Sequence, residues 1–125
     1  MAKKLDSLEG CRALVAEDEP FIALMLGEIV EGAGGTVVAI AQACSEALRI
    51  IEQQSVQLVV LDVHLKGEVS DVVLHAADAK GIPVLVSSGS DPGALPESFS
   101  GRLLLAKPWT IEEAERALLS AFHSL

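Results

Sequence analysis

At 125 residues the chain is long enough for one domain with a packed core and too short for two ordinary ones. Half of its residues are hydrophobic, and 18 acidic against 9 basic residues leave a formal net charge of −9. That balance argues against general binding to nucleic acid or to an anionic membrane, both of which need basic patches, and it suits a divalent cation that offsets a local acidic cluster.

Met1-Ala2-Lys3-Lys4 leads into the polar Asp6-Ser7, so no secretory signal is expected, and no apolar run approaches membrane-spanning length. The expectation is a soluble, cytoplasmic single domain over 1–125, with about 1–9 as a flexible N-terminus. Cys11 and Cys44 are unpatterned and set among apolar residues, which reads as two buried, reduced thiols. The first strand is expected at about Arg12 to Glu17. Pro20 suits a first helical turn, with Glu19 near the cap, and Phe21, Ile22, Leu24, Met25, Ile29 and Val30 follow at helical spacing. Gly32, Gly34 and Gly35 end that helix. Thr36 to Ala41 is β-branched and apolar and predicts the second strand. A helix capped by Ser45 follows through about Gln53.

Gln57 to Asp62 predicts the third strand, Lys66-Gly67-Glu68 a loop, and Val69 to Lys80 a helix closed by Gly81. Pro83 opens a fourth strand through Ser87. Ser88 to Ser100 is rich in Gly, Ser, Asp and Pro and reads as mostly loop. Leu103 to Ala106 is the fifth strand. Thr110 with Glu113 three residues on forms a capping box for the last helix. Alternating strands and helices imply right-handed crossovers and a parallel α/β sheet covered on both faces.

Three charged residues stand at the ends of apolar runs: Asp18 after Ala13 to Glu17, Asp62 after Leu58 to Leu61, and Lys107 after Leu103 to Ala106. Open parallel sheets bind ligands outside the carboxyl ends of their strands. Two carboxylates and a lysine there make an ion-binding and phosphate-binding site. Singly, each has a plainer explanation: the acids as helix-cap or loop residues, the lysine as a solvated charge. Their common placement at strand ends favours convergence.

The motifs Val15-Ala16-Glu17-Asp18-Glu19, Leu61-Asp62, Val86-Ser87-Ser88-Gly89 and Ala106-Lys107-Pro108-Trp109, in that order, resemble the receiver domain of two-component response regulators over essentially the whole chain. The resemblance implies a flavodoxin-like, doubly wound five-stranded parallel sheet of strand order 2-1-3-4-5. It also implies the roles. Asp62 matches the phospho-accepting nucleophile, Asp18 a direct magnesium (Mg2+) ligand, Glu17 a second acid acting through water, and the backbone carbonyl of His64 a further ligand. Asp62 also touches the metal, Ser88 donates to the phosphoryl group and Lys107 balances its charge. Counting five residues from Pro83 selects Ser88 and turns Ser87 to the other face. The Lys107–Pro108 bond is expected cis. The phosphodonor would be a histidine kinase or a histidine phosphotransfer protein. A downstream protein target is possible, with no nucleic acid and no membrane as partner. The chain would be no enzyme beyond its own phosphorylation and dephosphorylation.

The chain also departs from the pattern. Leu104 stands where receivers usually carry an aromatic switch residue, and the sequence has no tyrosine. The short stretch from Ser88 to Lys107 predicts a reduced or missing fourth helix and a loose segment from Gly89 to Gly101. No output domain is expected, as in stand-alone bacterial receivers, and Trp109 is a candidate partner contact. The alternative to a phosphorylatable receiver is a phosphorylation-independent pseudo-receiver that serves as an interaction module. A flavin protein of related topology is disfavoured, because the acidic Glu17-Asp18-Glu19 loop repels phosphate unless a metal intervenes.

Overall fold

A computed structural model describes residues 5–123. Among the described residues seven strands and four α-helices follow in chain order: β1 Arg12–Ala16, α1 Pro20–Gly32, β2 Thr36–Ala41, α2 Cys44–Gln53, β3 Leu58–Asp62, β4 His64–Leu65, β5 Glu68–Val69, α3 Asp71–Ala79, β6 Val84–Ser88, β7 Leu104–Ala106 and α4 Ile111–His123. The main sheet has five strands in the order β2-β1-β3-β6-β7, all parallel. Counting sheet strands alone, that is the expected 2-1-3-4-5. The fold is a flavodoxin-like doubly wound α/β sheet.

The central strands β1, β3 and β6 are nearly continuous apolar runs because both of their faces are covered. Leu14, Ala16, Val59, Leu61 and Val86 pack under α2 and α3, while Ala13, Val15, Leu58, Val60, Leu85 and Leu105 pack under α1 and α4. Cys44 belongs to the first layer and Cys11 to the second, and both thiols are free and buried.

Several expectations change. Of the N-terminus expected to be flexible, residues 1–4 lie outside the described residues, but Leu8 is fully buried and its N–H donates to the Ala33 carbonyl at 2.8 Å. The chain is anchored there by apolar burial that a short polar context concealed. Ser45 is not a cap: Ala43 is the N-cap of α2, and Glu46 reaches back to accept the Gln42 N–H at 3.2 Å. Glu19 occupies the N-cap of α1 without a side-chain cap bond. The loop at 66–68 is the tip of a two-stranded antiparallel hairpin, β4-β5, turning on Lys66 (φ 51) and Gly67 (φ 82). Consecutive positive φ values define the tight turn that matches strand twist. The helix expected from Val69 therefore begins at Asp71.

The capping box at Thr110 forms in both directions: its N–H donates to Glu113 Oε1 at 2.9 Å, and the Glu113 N–H to its Oγ1 at 3.1 Å. Between β6 and β7, where a helix would complete the alternation, there are two single 3-10 turns, Pro92–Ala94 and Glu97–Phe99. This reduced segment is pinned at one point, because Phe99 is buried in the α2–α3 layer and Leu95 packs against it. No helix among the described residues is long and apolar enough to cross a membrane.

Candidate functional site

The site is built on the carboxyl ends of β1, β3, β6 and β7. The register pairs Ala16 with Leu61, Asp62 with Ser87, and Ser87 with Leu105. Glu17, one residue past Ala16, thus stands beside Asp62 at the top of the sheet. Glu17 is buried, with 1% exposure, and its Oε2 accepts the Glu19 N–H at 3.1 Å. Pro20 then begins α1 with no N–H to satisfy.

Lys107 reaches this pair from β7. Its N–H donates to the Ser88 carbonyl at 2.8 Å, and the Lys107–Pro108 bond is cis, as the family resemblance implies. Its ammonium lies 2.8 Å from Asp62 Oδ2 and 3.0 Å from Glu17 Oε1. The second contact is an ion pair off the hydrogen-bond line, so Glu17 Oε1 is buried without a hydrogen-bond partner. Burial pushes the Glu17 carboxyl above the usual glutamate range, helped by the Asp62 charge and only partly offset by Lys107 and the Glu19 N–H. For Lys107 burial works to lower the pKa, but the hydrogen bonds and charges of Asp62 and Glu17 outweigh it and hold the ammonium above its ordinary value.

The hairpin closes the other side. The Lys66 N–H donates to Asp18 Oδ2 at 2.7 Å, and the His64 N–H to Asp62 Oδ1 at 3.1 Å. Ser70, the N-cap of α3, donates its hydroxyl to the Asp62 and Val63 carbonyls, and its N–H donates to the Val63 carbonyl. Because Val63–Ser70 is a bonded rung, antiparallel alternation makes His64–Val69 a non-bonded one, so the His64 carbonyl is not spent on the ladder. On β6, Ser88 Oγ accepts the Ser90 N–H at 3.0 Å, which occupies a lone pair and leaves its O–H to donate.

Carboxylate oxygens of Glu17, Asp18 and Asp62 all lie within 4.8 Å of one another. Of the three carboxylates, Lys107 pairs with two, Glu17 and Asp62, and one buried oxygen has no hydrogen-bond partner. A hard divalent cation with oxygen ligands fits this donor set, since it would satisfy that oxygen and offset the surplus negative charge.

Beside the site, Ile22, Met25, Pro108, Trp109 and Lys107 line a cavity of about 300 Å³. Trp109 is half-buried against the α1–α4 layer.

No family model matches the chain, and no curated protein matches it. Solved structures do. SdrG from Sphingomonas melonis Fr1 is 32% identical, with 90% of this chain and 96% of that one covered and a TM-score of 0.79. The REC domain of the response regulator PhyR from Erythrobacter litoralis superposes with a TM-score of 0.81 over 94% of this chain and 93% of its own, at 20% identity, which speaks to fold alone. The chain belongs to the receiver domains of response regulators. The response regulator PhyR from Brucella abortus has a TM-score of 0.84 and 24% identity over 96% of this receiver, which spans only 51% of that longer chain.

The receiver brings together each residue singled out from the sequence: Glu17, Asp18, Asp62, the His64 backbone and Lys107 in one cluster, and Ser88 on the strand beside Asp62. The sequence reading missed Lys66 and Ser70, which act through backbone and hydroxyl contacts. Gly67 was the available signal, but Lys-Gly marks a hairpin turn far more weakly than Asn-Gly or Asp-Gly.

Proposed function

We propose that this receiver accepts a phosphoryl group on Asp62 from a histidine kinase or a histidine phosphotransfer protein, in a Mg2+-dependent reaction in the cytoplasm. It then signals by docking to a downstream protein or serves as a phosphate relay or sink. The observation that carries the reading is the Lys107 ammonium bridging Asp62 Oδ2 and Glu17 Oε1 inside an acidic cluster. A salt-bridged surface lysine would need one carboxylate; a third nearby carboxylate and a buried oxygen without a hydrogen-bond partner are the provisions of a cation and phosphoryl site.

Glu17, Asp18 and Asp62, with the His64 carbonyl, would hold the Mg2+, which when bound supplies charge neutralisation to the phosphoryl oxygens. An Asp62 carboxylate oxygen attacks phosphorus in line. The O–P bond forms as the P–N bond to the donor imidazole breaks, and the leaving nitrogen keeps the electron pair. Lys107 and the Ser88 O–H donate to the equatorial oxygens as charge spreads over them. An apolar cavity lies beside Lys107, and Phe21, Leu24 and Ile111 are exposed on α1 and α4, which supports docking of an apolar helix of the phosphodonor protein beside the site. A net charge of −9 supports protein rather than nucleic-acid partners.

The test is incubation with Mg2+ and acetyl phosphate, read by intact mass. One added phosphoryl group is expected, absent in Asp62→Asn. Labelling that persists in that variant refutes Asp62 as the acceptor. No labelling of the wild type by acetyl phosphate or a phosphorylated donor supports the pseudo-receiver reading, toward which Leu104 at the switch position also points.

A further inference from the structure

We propose that Ser87 is a positioning residue for Lys107, its buried hydroxyl being the acceptor that keeps the ammonium aimed when the Glu17 carboxylate turns to a cation. The inference rests on reading Glu17, Asp18 and Asp62 as the cation site. It concerns a residue assigned above only to the opposite face from Ser88.

The argument begins with an orphan. Ser87 is 1% exposed, and its Oγ has no hydrogen-bond partner. A buried hydroxyl without a partner destabilises a fold, and alanine would fill the same place without that cost. Packing alone therefore gives no reason for a hydroxyl here.

Position supplies one. Ser87 lies in the cross-sheet row that runs from Glu17 through Asp62 to Leu105. Its alternation partner Leu85 and its row partner Leu105 both belong to the layer under α1 and α4, so Ser87 shares that face. Lys107 stands two residues beyond Leu105 and has the same parity. The sheet order places β6 between β7, which carries Lys107, and β3, which carries Asp62. The ammonium sits 2.8 Å from Asp62 Oδ2, and the strand that carries Asp62 lies two strand spacings, or about 9.6 Å, from β7. To reach it, the four-carbon stem crosses β6, and the side chain of β6 on that face at that level is Ser87.

The ammonium has three N–H groups; one donates to Asp62 Oδ2, and Glu17 Oε1 holds the ammonium as an ion pair at 3.0 Å. Once the Glu17 carboxylate turns to a cation, Lys107 has one anionic acceptor fewer and faces added positive charge. Left with Asp62 alone, it is free to swing toward solvent. The Ser87 hydroxyl lies along its path as a neutral acceptor, unused by any other described group. Ser88 does not substitute on that side, because strand alternation turns its side chain to the face opposite Ser87. The exchange moves hydrogen bonds only; no covalent bond or proton changes hands.

The test compares wild type with Ser87→Ala by NMR of lysine ammonium groups in 15N-labelled protein, with and without Mg2+. Without Mg2+ the two proteins should give the same Lys107 signal and solvent exchange, and Ser87→Ala should be at least as stable to urea as wild type. With Mg2+ the Lys107 ammonium should exchange about tenfold faster in Ser87→Ala, the lower end of what loss of one hydrogen bond to a charged group implies. Equal exchange in both proteins with Mg2+ overturns the proposal, and so does a wild-type Lys107 signal that ignores Mg2+. Normal ammonium behaviour together with no phosphoryl incorporation leaves this inference standing and refutes only phosphorylation of Asp62.

Discussion

Replacing Lys107 by methionine keeps the length of the stem and removes the charge that faces Glu17 and Asp62. The ammonium contacts Asp62 Oδ2 at 2.8 Å and Glu17 Oε1 at 3.0 Å, and its side chain is only 19% exposed. At 3 Å and an effective dielectric near 20, each pair is worth roughly 5 kcal/mol of gross attraction, much of it offset by desolvation. Removing one partner of a buried pair costs about 3–5 kcal/mol, because the remaining charge stays buried. Residual exposure of Lys107 sets the expectation at the lower end, about 3 kcal/mol at pH 7 without metal, or a fall in Tm on the order of 10 °C for a domain of this size. The pH dependence has a definite sign. The folded-state pKa of Glu17 already lies above its ordinary value through burial, and loss of Lys107 raises it further. A raised carboxyl contributes stability below its unfolded pKa and loses it as pH rises through the folded value. The deficit of Lys107→Met should therefore shrink on acidification toward pH 4.5, and millimolar Mg2+ should recover most of it at pH 7. Urea denaturation at pH 4.5 and pH 7, with and without Mg2+, measures all three effects. A variant as stable as wild type at pH 7 without Mg2+ would refute the reasoning.

Three further expectations follow from other parts of the fold. Arg102 clasps Asp78 on α3 through two hydrogen bonds of 2.9 and 2.5 Å, and the Arg102 hydrogen bond holds the Asp78 carboxyl below the usual aspartate range. Because the pair is a third exposed, Asp78→Asn should cost only about 0.5 kcal/mol above pH 5, a difference that vanishes as pH falls through the lowered Asp78 pKa, read as urea midpoint against pH. Gly35→Ala would place a Cβ 2.9 Å from Val30 Cγ1 and 3.3 Å from the Cys11 carbonyl, so about 1–3 kcal/mol should be lost; an unchanged urea midpoint would contradict that crowding. Burial pushes the Cys11 thiol up to about 11, so iodoacetamide at pH 8 should alkylate it only after unfolding, as peptide mass mapping would show.

Elements whose signal is local were legible in the sequence. Thr36–Ala41 is a strand with the bounds its β-branched run implies, Pro20 opens its helix, and Thr110 with Glu113 closes a capping box through hydrogen bonds three residues apart. Gly, Pro and Ser between Ser88 and Ser100 leave only two 3-10 turns. Where the sequence misled, a distant partner outweighed the local cue. Ser45 lost the cap because helix α2 begins earlier, at Cys44, a buried member of the α2–α3 layer. Leu8 looked like part of a loose leader because the groups that bury it lie in other elements, among them Ala33 at the end of α1. The hairpin tip at Lys66-Gly67 has weak turn chemistry of its own, and Asp18, 48 residues away, accepts its amide.

By itself the sequence determined which chemistry stands at which strand end. Apolar runs closed by Glu17-Asp18, Asp62, Ser88 and Lys107 can be read without coordinates, because buried parallel strands must be apolar and charge must wait for their ends. Only the tertiary structure decided which atoms meet. The order β2-β1-β3-β6-β7 sets Glu17 beside Asp62 and sends Lys107 across β6 to both. It also leaves Ser87 beneath that crossing, with no hydrogen-bond partner for its hydroxyl. Those relations depend on crossover connections and on strand register between elements far apart in sequence, 45 residues for Lys107 and Asp62, and no periodicity along the chain encodes them.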